Sequence, residues 1–233
     1  MGTGEVLISG RRLTRKVRNL NTCIIIGAGD LALMNIEIKE GDLCIAADGG
    51  YAHCKRLGIC PNLIIGDMDS LNEELRENVG EIERNSPEKI IRLCPEKDDT
   101  DTLAALKAGM ERGYKNYRLY GAMGGRIEHT IANIQCLVYL KNHGADGYIL
   151  DEGISISVIK DAKAVFGNRM EGYLSLFALG EKAEGVTITG MKYPLKNATI
   201  TNGYPIGISN EFIGKESMVA VKDGMLLMVL SNR

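Results

Sequence analysis

The residues of this chain best suited to chemistry form a short acidic stretch, Ile65-Gly66-Asp67-Met68-Asp69-Ser70. Asp67 and Asp69 stand two positions apart, so in extended backbone both carboxylates project to one side, with roughly 7 Å between their Cα atoms. Two carboxylates held together repel, and a cation between them removes that cost. Mg²⁺ suits such a pair, because it takes one or two carboxylates, keeps some waters and fills its remaining positions with phosphate oxygens. The apolar run Leu63-Ile64-Ile65 ahead of the acids reads as a buried strand, and Leu71-Asn72-Glu73-Glu74 behind them as a helix start. Gly66 allows backbone or ligand to approach closely where the strand ends. A plainer role fits the same residues, with Asp67 in a turn and Asp69 or Ser70 capping the helix.

A second acidic loop is Lys97-Asp98-Asp99-Thr100-Asp101. Asp98 and Asp101 are three apart and share a face if the first helical turn has begun. Asp98 or Thr100 is suited to capping that turn. Capping accounts for one or two acids, but not for three beside a lysine that can meet a polyphosphate as a point charge. Gly124-Gly125-Arg126 offers flexible backbone donors and a guanidinium suited to bidentate phosphate contact, or else a tight turn with a solvated arginine. Gly27-Ala28-Gly29 begins like a dinucleotide-binding turn, but the third glycine and the helix behind it are missing. A turn or a nucleotide-facing loop suits those two glycines better.

These loops need elements to position them. Thr22–Ile26, Leu43–Ala47, Leu63–Ile65, Lys89–Leu93, Tyr117–Tyr120 and Gly147–Leu150 read as strands. Helical patterns lie between them: Tyr51 to Leu57 closed by Gly58, a segment carrying Leu103, Leu106 and Met110 that stops at Gly113, and one expected to bury Ile131, Ile134 and Val138. Alternating strands and helices imply a mainly parallel, Rossmann-like sheet with helices on both faces. Ligands of such sheets bind outside the carboxyl ends of the strands, and Asp48, Asp67, Asp98–Asp101 and Gly121–Arg126 all follow predicted strands. From Gly153 on the chain reads as all-β, about eight short strands with glycine turns, in a small sandwich or jelly-roll-like domain. There Asp223-Gly224 is expected to join Met218–Lys222 to Met225–Leu230 as a tight hairpin. The expected organisation is a basic arm over 1–20, an α/β domain over 21–151 and a β-sandwich over 152–233.

The chain has 233 residues and a formal net charge of −2, which argues against a dedicated nucleic-acid binder. No apolar run approaches a membrane span. Its six cysteines are scattered without a Cys-x-x-Cys pair, as expected for reduced thiols of a cytoplasmic protein. The basic run Arg11–Arg18 has no signal-peptide apolar segment behind it and reads as a solvated or disordered arm.

Taken in order, Asp48-Gly49-Gly50, Gly66-Asp67-x-Asp69-Ser70, Lys97-Asp98-x-Thr100-Asp101 and Gly124-Gly125-Arg126-x-x-His129 resemble the motifs of thiamine pyrophosphokinase. Thr189-Gly190-Met191-Lys192-Tyr193-Pro194-Leu195 and Ile208-Ser209-Asn210-Glu211 look like that family's thiamine-binding β-domain. The resemblance implies transfer of a pyrophosphoryl group from ATP to the hydroxyl of thiamine, giving thiamine diphosphate and AMP. It also implies a homodimer whose active site joins the α/β domain of one subunit to the β-domain of the other. Carried over, Asp67, Asp69, Asp98 and Asp101 are the Mg²⁺ and phosphate-site acids, and Asp48, Gly49, Gly50, Lys97, Thr100, Gly124, Gly125, Arg126 and His129 border ATP. Tyr193, Ser209 and Asn210 face thiamine. Glu128 stands where the family usually has Asp, and Tyr193 where some members have Trp, a residue this chain lacks altogether. Any stacking on the thiazolium therefore falls to Tyr or Phe. Rival readings are another metal-dependent phosphoryl or nucleotidyl transferase, a nicotinamide-dependent oxidoreductase built on Gly27-Ala28-Gly29, and a non-catalytic binding protein on the same fold.

Overall fold

A computed structural model of the chain describes residues 5–8, 21–94 and 99–232. It divides into two compact units, Leu20–Glu152 and Gly153–Arg233, the latter joined by the N-terminal segment. The first element, β1 (Glu5–Ile8), belongs with the second unit.

The unit Leu20–Glu152 contains β2 (Thr22–Ile26), β3 (Leu43–Ala47), α1 (Gly50–Leu57), β4 (Leu63–Gly66), α2 (Glu73–Asn85), a 3₁₀ turn (Pro87–Lys89), β5 (Ile90–Arg92), α3 (Asp101–Glu111), β6 (Asn116–Tyr120), α4 (Ile127–Asn142) and β7 (Asp146–Asp151). The strands lie in the order β7-β6-β2-β3-β4-β5, and each of these neighbours pairs in parallel. The central strands are buried on both faces, which is why they read as unbroken apolar runs. Alternate residues divide between the two faces. Ile24, Ile26, Cys44, Ala46 and Ile64 pack with Tyr51 and Cys54 of α1 and Val79 of α2. On the other face, Gly109 of α3 lies so close to Cys23 and Tyr117 that an added Cβ would sit 2.8 Å from the Cys23 sulfur. The carboxyl ends of these parallel strands share one edge, and the loops there carry the candidate site residues of this unit.

In α4 the buried face differs from the expected one. Asn133, Cys136, Leu137 and Leu140 are buried, whereas Ile131 is exposed and Ile134 and Val138 are half-buried. The helix is apolar on too many sides for periodicity to choose the face. A polar residue enters it because the Asn133 side-chain amide donates to the Ala122 carbonyl at 2.8 Å.

The other unit is all-β: β8 (Ile154–Lys160), β9 (Lys163–Phe166), β10 (Tyr173–Ala178), β11 (Lys182–Thr189), β12 (Leu195–Thr201), β13 (Asn210–Glu211), β14 (Ser217–Ala220) and β15 (Met225–Ser231). One sheet runs β1-β9-β14-β11-β12, and β13, β10, β15 and β8 are neighbours in the other. Both contribute to a single core that includes Phe166, Val186 and Val219 from the first and Leu174, Leu176, Leu226 and Met228 from the second. That makes the unit sandwich-like. β1 lies parallel to β9, a strand the sequence reading does not anticipate; the basic run Arg11–Arg18 falls outside the described residues.

Asp223-Gly224 does not close a hairpin. β14 pairs with β9 and β11, while β15 pairs with β10 and β8, so the dipeptide carries the chain from one sheet to the other. The amide of Gly224 donates to Asp161 Oδ1 at 2.9 Å, and Glu184 and Asp223 form an isolated bridge. Both flanking strands have apolar partners on each side, and that satisfies them better than pairing with each other.

Candidate active site

Two loops at the carboxyl edge of the parallel sheet bring three acids together. Asp48 follows β3, and Asp67 and Asp69 follow β4. One carboxylate oxygen of each lies within 4.8 Å of the others. The backbone is bent to achieve this: Asp48 and Met68 both have left-handed φ, +47° and +67°. Asp and Asn tolerate that region better than most side chains, whereas Met68 is held there by burial. The Asp48 amide donates to the Ile65 carbonyl at 2.8 Å, which ties the end of β3 to the end of β4. At Gly66 an added Cβ would stand 3.0 Å from the Asp48 Cα, so only glycine lets the two loops approach this closely.

The capping role that competes for these acids is already filled. Asn72 caps α2, its Oδ1 accepting from the Leu75 amide at 2.9 Å. Asp67 Oδ1 accepts from the Asp69 amide at 3.1 Å, and Arg76 donates to the Asp69 carbonyl at 2.6 Å. These contacts shape the loop and leave the carboxylates clustered. Hydrogen bonding and charge from Asp67 hold the Asp69 carboxyl above the usual carboxylate range, with desolvation, Asp48 and Asp101 adding in the same direction. One oxygen of Asp48, Oδ1, is buried without a hydrogen-bond partner. Such an anionic oxygen is costly unless something positive meets it. Hard oxygen donors, mutual repulsion and one orphaned oxygen together fit a divalent cation such as Mg²⁺.

The neighbouring loops are held by bonds of their own. Gly27 and Gly29 donate their amides to the Tyr120 and Gly121 carbonyls, each at 2.8 Å, so they stitch the end of β2 to the end of β6. The Gly125 amide is likewise engaged, donating to Asp30 Oδ2 at 3.1 Å. Arg126 lies at the N-terminus of α4, and its Nε donates to Glu128 Oε1 at 2.6 Å, both side chains being largely exposed. Glu128, held low in pKa by its own backbone amide and by Arg126, thus has a partner; His129 nearby is exposed. Thr100 caps α3, accepting from the Leu103 amide at 3.2 Å, and Asp101 is its first residue. Lys107 pairs with Asp99 at 2.6 Å.

In the β unit, Asn210 is buried and its side chain grips Tyr193 from both sides. Asn210 Oδ1 accepts from the Tyr193 amide at 2.9 Å, and its Nδ2 donates to the Tyr193 carbonyl at 2.7 Å. Tyr193 itself stays 56% exposed. Ser209 has left-handed φ, +54°, and its amide donates to Ser175 Oγ at 3.0 Å.

Two family models match this chain: "Thiamin pyrophosphokinase, catalytic domain" over residues 34–149 and "Thiamin pyrophosphokinase, vitamin B1 binding domain" over residues 155–226. The thiamine pyrophosphokinase of Bacillus subtilis is 31% identical over 193 residues, covering 82% of this chain and 88% of that protein. The chain belongs to the thiamin pyrophosphokinase family. A rice thiamine pyrophosphokinase is 26% identical over 188 residues, 76% of this chain and 69% of the relative. The solved structure of the Bacillus subtilis thiamine pyrophosphokinase matches with a TM-score of 0.81 at 28% identity, covering 91% of this chain and 99% of that one. Yeast thiamin pyrophosphokinase shares the fold, with a TM-score of 0.72 at 19% identity over 97% of this chain and 91% of its own.

Among the described residues the close acidic group is Asp48, Asp67 and Asp69, which holds two of the four acids expected from the motifs. Asp48, expected only to border the nucleotide, joins the cluster through its left-handed turn, a feature that spacing in sequence does not reveal. Asp101 stands outside the group of three but near enough to act on the charge of Asp69. Lys97 and Asp98 lie outside the described residues. Gly49 and Gly50 begin α1 directly behind Asp48. Sequence reasoning missed Asp30, in the loop after β2, and Arg76, in the first turn of α2; the available signal was that both follow strand ends at the same sheet edge.

Proposed function

We propose that this chain transfers the pyrophosphoryl group of ATP to the hydroxyl of thiamine, with Mg²⁺ held by Asp48, Asp67 and Asp69. The observation that carries the reading is the convergence of these carboxylates around one buried, unpartnered oxygen, in a chain matching both family domains. The hydroxyl oxygen of thiamine forms a bond to the β-phosphorus. The bond from that phosphorus to the oxygen bridging it to the α-phosphate breaks, AMP leaves with the electron pair, and the hydroxyl proton passes to a carboxylate or to water. Such transfer depends on positioning and charge neutralisation more than on covalent participation of the protein. Mg²⁺ bound at the acids would offset charge on the polyphosphate and on the departing AMP. The chain's own contribution is a rigid cradle: Asn72 and Arg76 fix the acid loop, and the Asp48 amide fixes its spacing from β4. Asp98 and Asp101 add to the Mg²⁺ and phosphate-site acids in this reading, and Gly49, Gly50, Lys97, Thr100, Gly124, Gly125, Arg126 and His129 border the nucleotide. Tyr193 and Ser209 face thiamine, and Asn210 serves by holding Tyr193.

The reading assigns residues 21–151 to a Rossmann-like catalytic domain, supported by the parallel pairing of its strands. Residues 152–233 become the thiamine-binding domain. A cytoplasmic location is supported by six free cysteines, of which Cys136 is pushed up to about 11 by burial and by Asp99. Among the described residues no helix is long and apolar enough to cross a membrane. The deciding experiment is product analysis from ATP, Mg²⁺ and thiamine. AMP and thiamine diphosphate in equal amounts are expected; ADP, or no thiamine-dependent turnover, overturns the assignment.

Clustered acids that await a cation should strain the ion-free protein. Asp69→Asn removes one repelling carboxylate, so without divalent ions the variant is expected to melt no lower than wild type. Adding Mg²⁺ should raise the wild-type melting temperature more than that of the variant. A thermal melt in chelator and then in Mg²⁺ checks both, and a variant responding as fully as wild type removes Asp69 from the site.

The reading further includes a homodimer with each site shared between chains. Asp69→Asn and Tyr193→Ala subunits, each crippled alone, should then regain activity after subunit exchange. Their heterodimer holds one site with both lesions and one with neither, so about half of its sites are intact. Exchange shown by differently tagged chains, without recovered AMP formation, contradicts the shared site.

A further inference from the structure

The surface around Tyr193 holds a cation of its own. Lys192 Nζ lies 5.4 Å from the centre of the Tyr193 ring, within cation–π range. The same ammonium donates to Glu211 Oε1 at 2.7 Å. Glu211 holds the Lys192 pKa above the ordinary lysine value, so the group stays charged. The segment is fixed from below. Met191 bridges Phe212, the Lys192 amide donates to the Glu211 carbonyl at 3.1 Å, and Asn210 clamps the Tyr193 backbone. The ring cannot leave Lys192 by loop movement without breaking these bonds, so the lysine side chain is the mobile partner. Its side chain is 45% exposed, so it can swing outward once its bond to Glu211 is released.

We propose that Lys192 is a built-in competitor for the cationic ring of the substrate at Tyr193, and that Glu211 sets how strongly it competes. The inference rests on the reading that thiamine meets the Tyr193 ring. A thiazolium is attracted by the two features that hold Lys192 in place, the π face and the Glu211 carboxylate. With lysine present the pair is neutral and one cation already lies beside the ring. Without it, the ring face is open to an incoming cation. Removing Glu211 instead leaves the lysine charge beside the site without its ion-pair partner, which disfavours the same cation.

The test is calorimetric titration of the intact protein with thiamine and with a neutral analogue carrying thiophene in place of the thiazolium. Lys192→Met is expected to tighten thiamine roughly two- to fivefold, the range for an exposed cation–π contact, and to leave the neutral analogue unchanged. Lys192→Arg keeps a cation on the ring and should show no gain. Glu211→Gln should weaken thiamine, and the Lys192→Met gain should shrink in high salt. If Lys192→Met leaves thiamine affinity unchanged or weaker while Tyr193→Leu lowers it, the competitor role fails and the Tyr193 pocket stands. If Tyr193→Leu has no effect, the pocket assignment fails and the competitor with it. Equal tightening of both ligands would show relief of crowding and also overturns the proposal.

Discussion

Asp48→Asn is expected to lower AMP formation by on the order of a hundred- to a thousandfold while leaving the fold intact, the loss typical when one preorganised electrostatic group is taken from a transition-state site. The buried oxygen Oδ1 has no hydrogen-bond partner among the described residues, so asparagine would lose no bond there that supports the fold. Asparagine also accepts the left-handed backbone at this position, where φ is +47°, about as readily as aspartate. Alanine would confuse the two effects by straining the turn. Asp67→Asn should behave alike, because an amide oxygen can still accept from the Asp69 backbone. Asp101→Asn, outside the group of three, is expected to lose less. Turnover measured beside circular dichroism and melting temperature decides the matter: a folded Asp48→Asn enzyme with near-wild-type rate removes Asp48 from the site.

The parallel sheet was legible because its central strands are buried on both faces and so appear as Thr22–Ile26, Leu43–Ala47 and Leu63–Gly66, runs with hardly a polar residue. Gly58 marked the end of α1, where it adopts φ +67° and caps the Cys54 and Lys55 carbonyls. Asp67 and Asp69 were visible as a pair because their proximity is local. The membership of Asp48 was not, since it depends on two strands meeting in register and on a bond from its amide to Ile65. Asn210 stood out as a candidate residue, but its clamp on a loop 17 positions away did not. Asp223-Gly224 has the composition of a hairpin turn, but composition cannot tell whether the flanking strands choose each other or other partners. In each case the missing information is a pairing between distant segments.

Gly50→Ala should be among the most damaging single substitutions in the α/β unit, although it adds one methyl group. Gly50 starts α1, and its φ is not among the positive ones, so alanine's backbone preference is not at issue. The added Cβ would overlap the Ile26 carbonyl oxygen and lie 2.6 Å from the carbonyl carbon. Ile26 is the last residue of a central strand and is fully buried, so it has no room to retreat. Either α1 lifts from the sheet or β2 shifts in register with β3 and β6. Overpacking of this kind costs about 3 kcal/mol, which corresponds to a fall of roughly 10 °C in melting temperature. Because Asp48 stands two residues ahead, the displacement also carries its carboxylate away from Asp67 and Asp69, and activity should fall even at temperatures where the variant remains folded. Gly80→Ala supplies the opposite sign. It lies inside α2, where the added methyl would meet only the Arg84 guanidinium at 3.7 Å, and alanine is favoured over glycine in a helix by up to about 1 kcal/mol. Melting curves of the two variants should therefore move in opposite directions. If Gly50→Ala melts with wild type, the packing of α1 against the end of β2 is looser than the structure describes, and the rigid placement of Asp48 loses its basis.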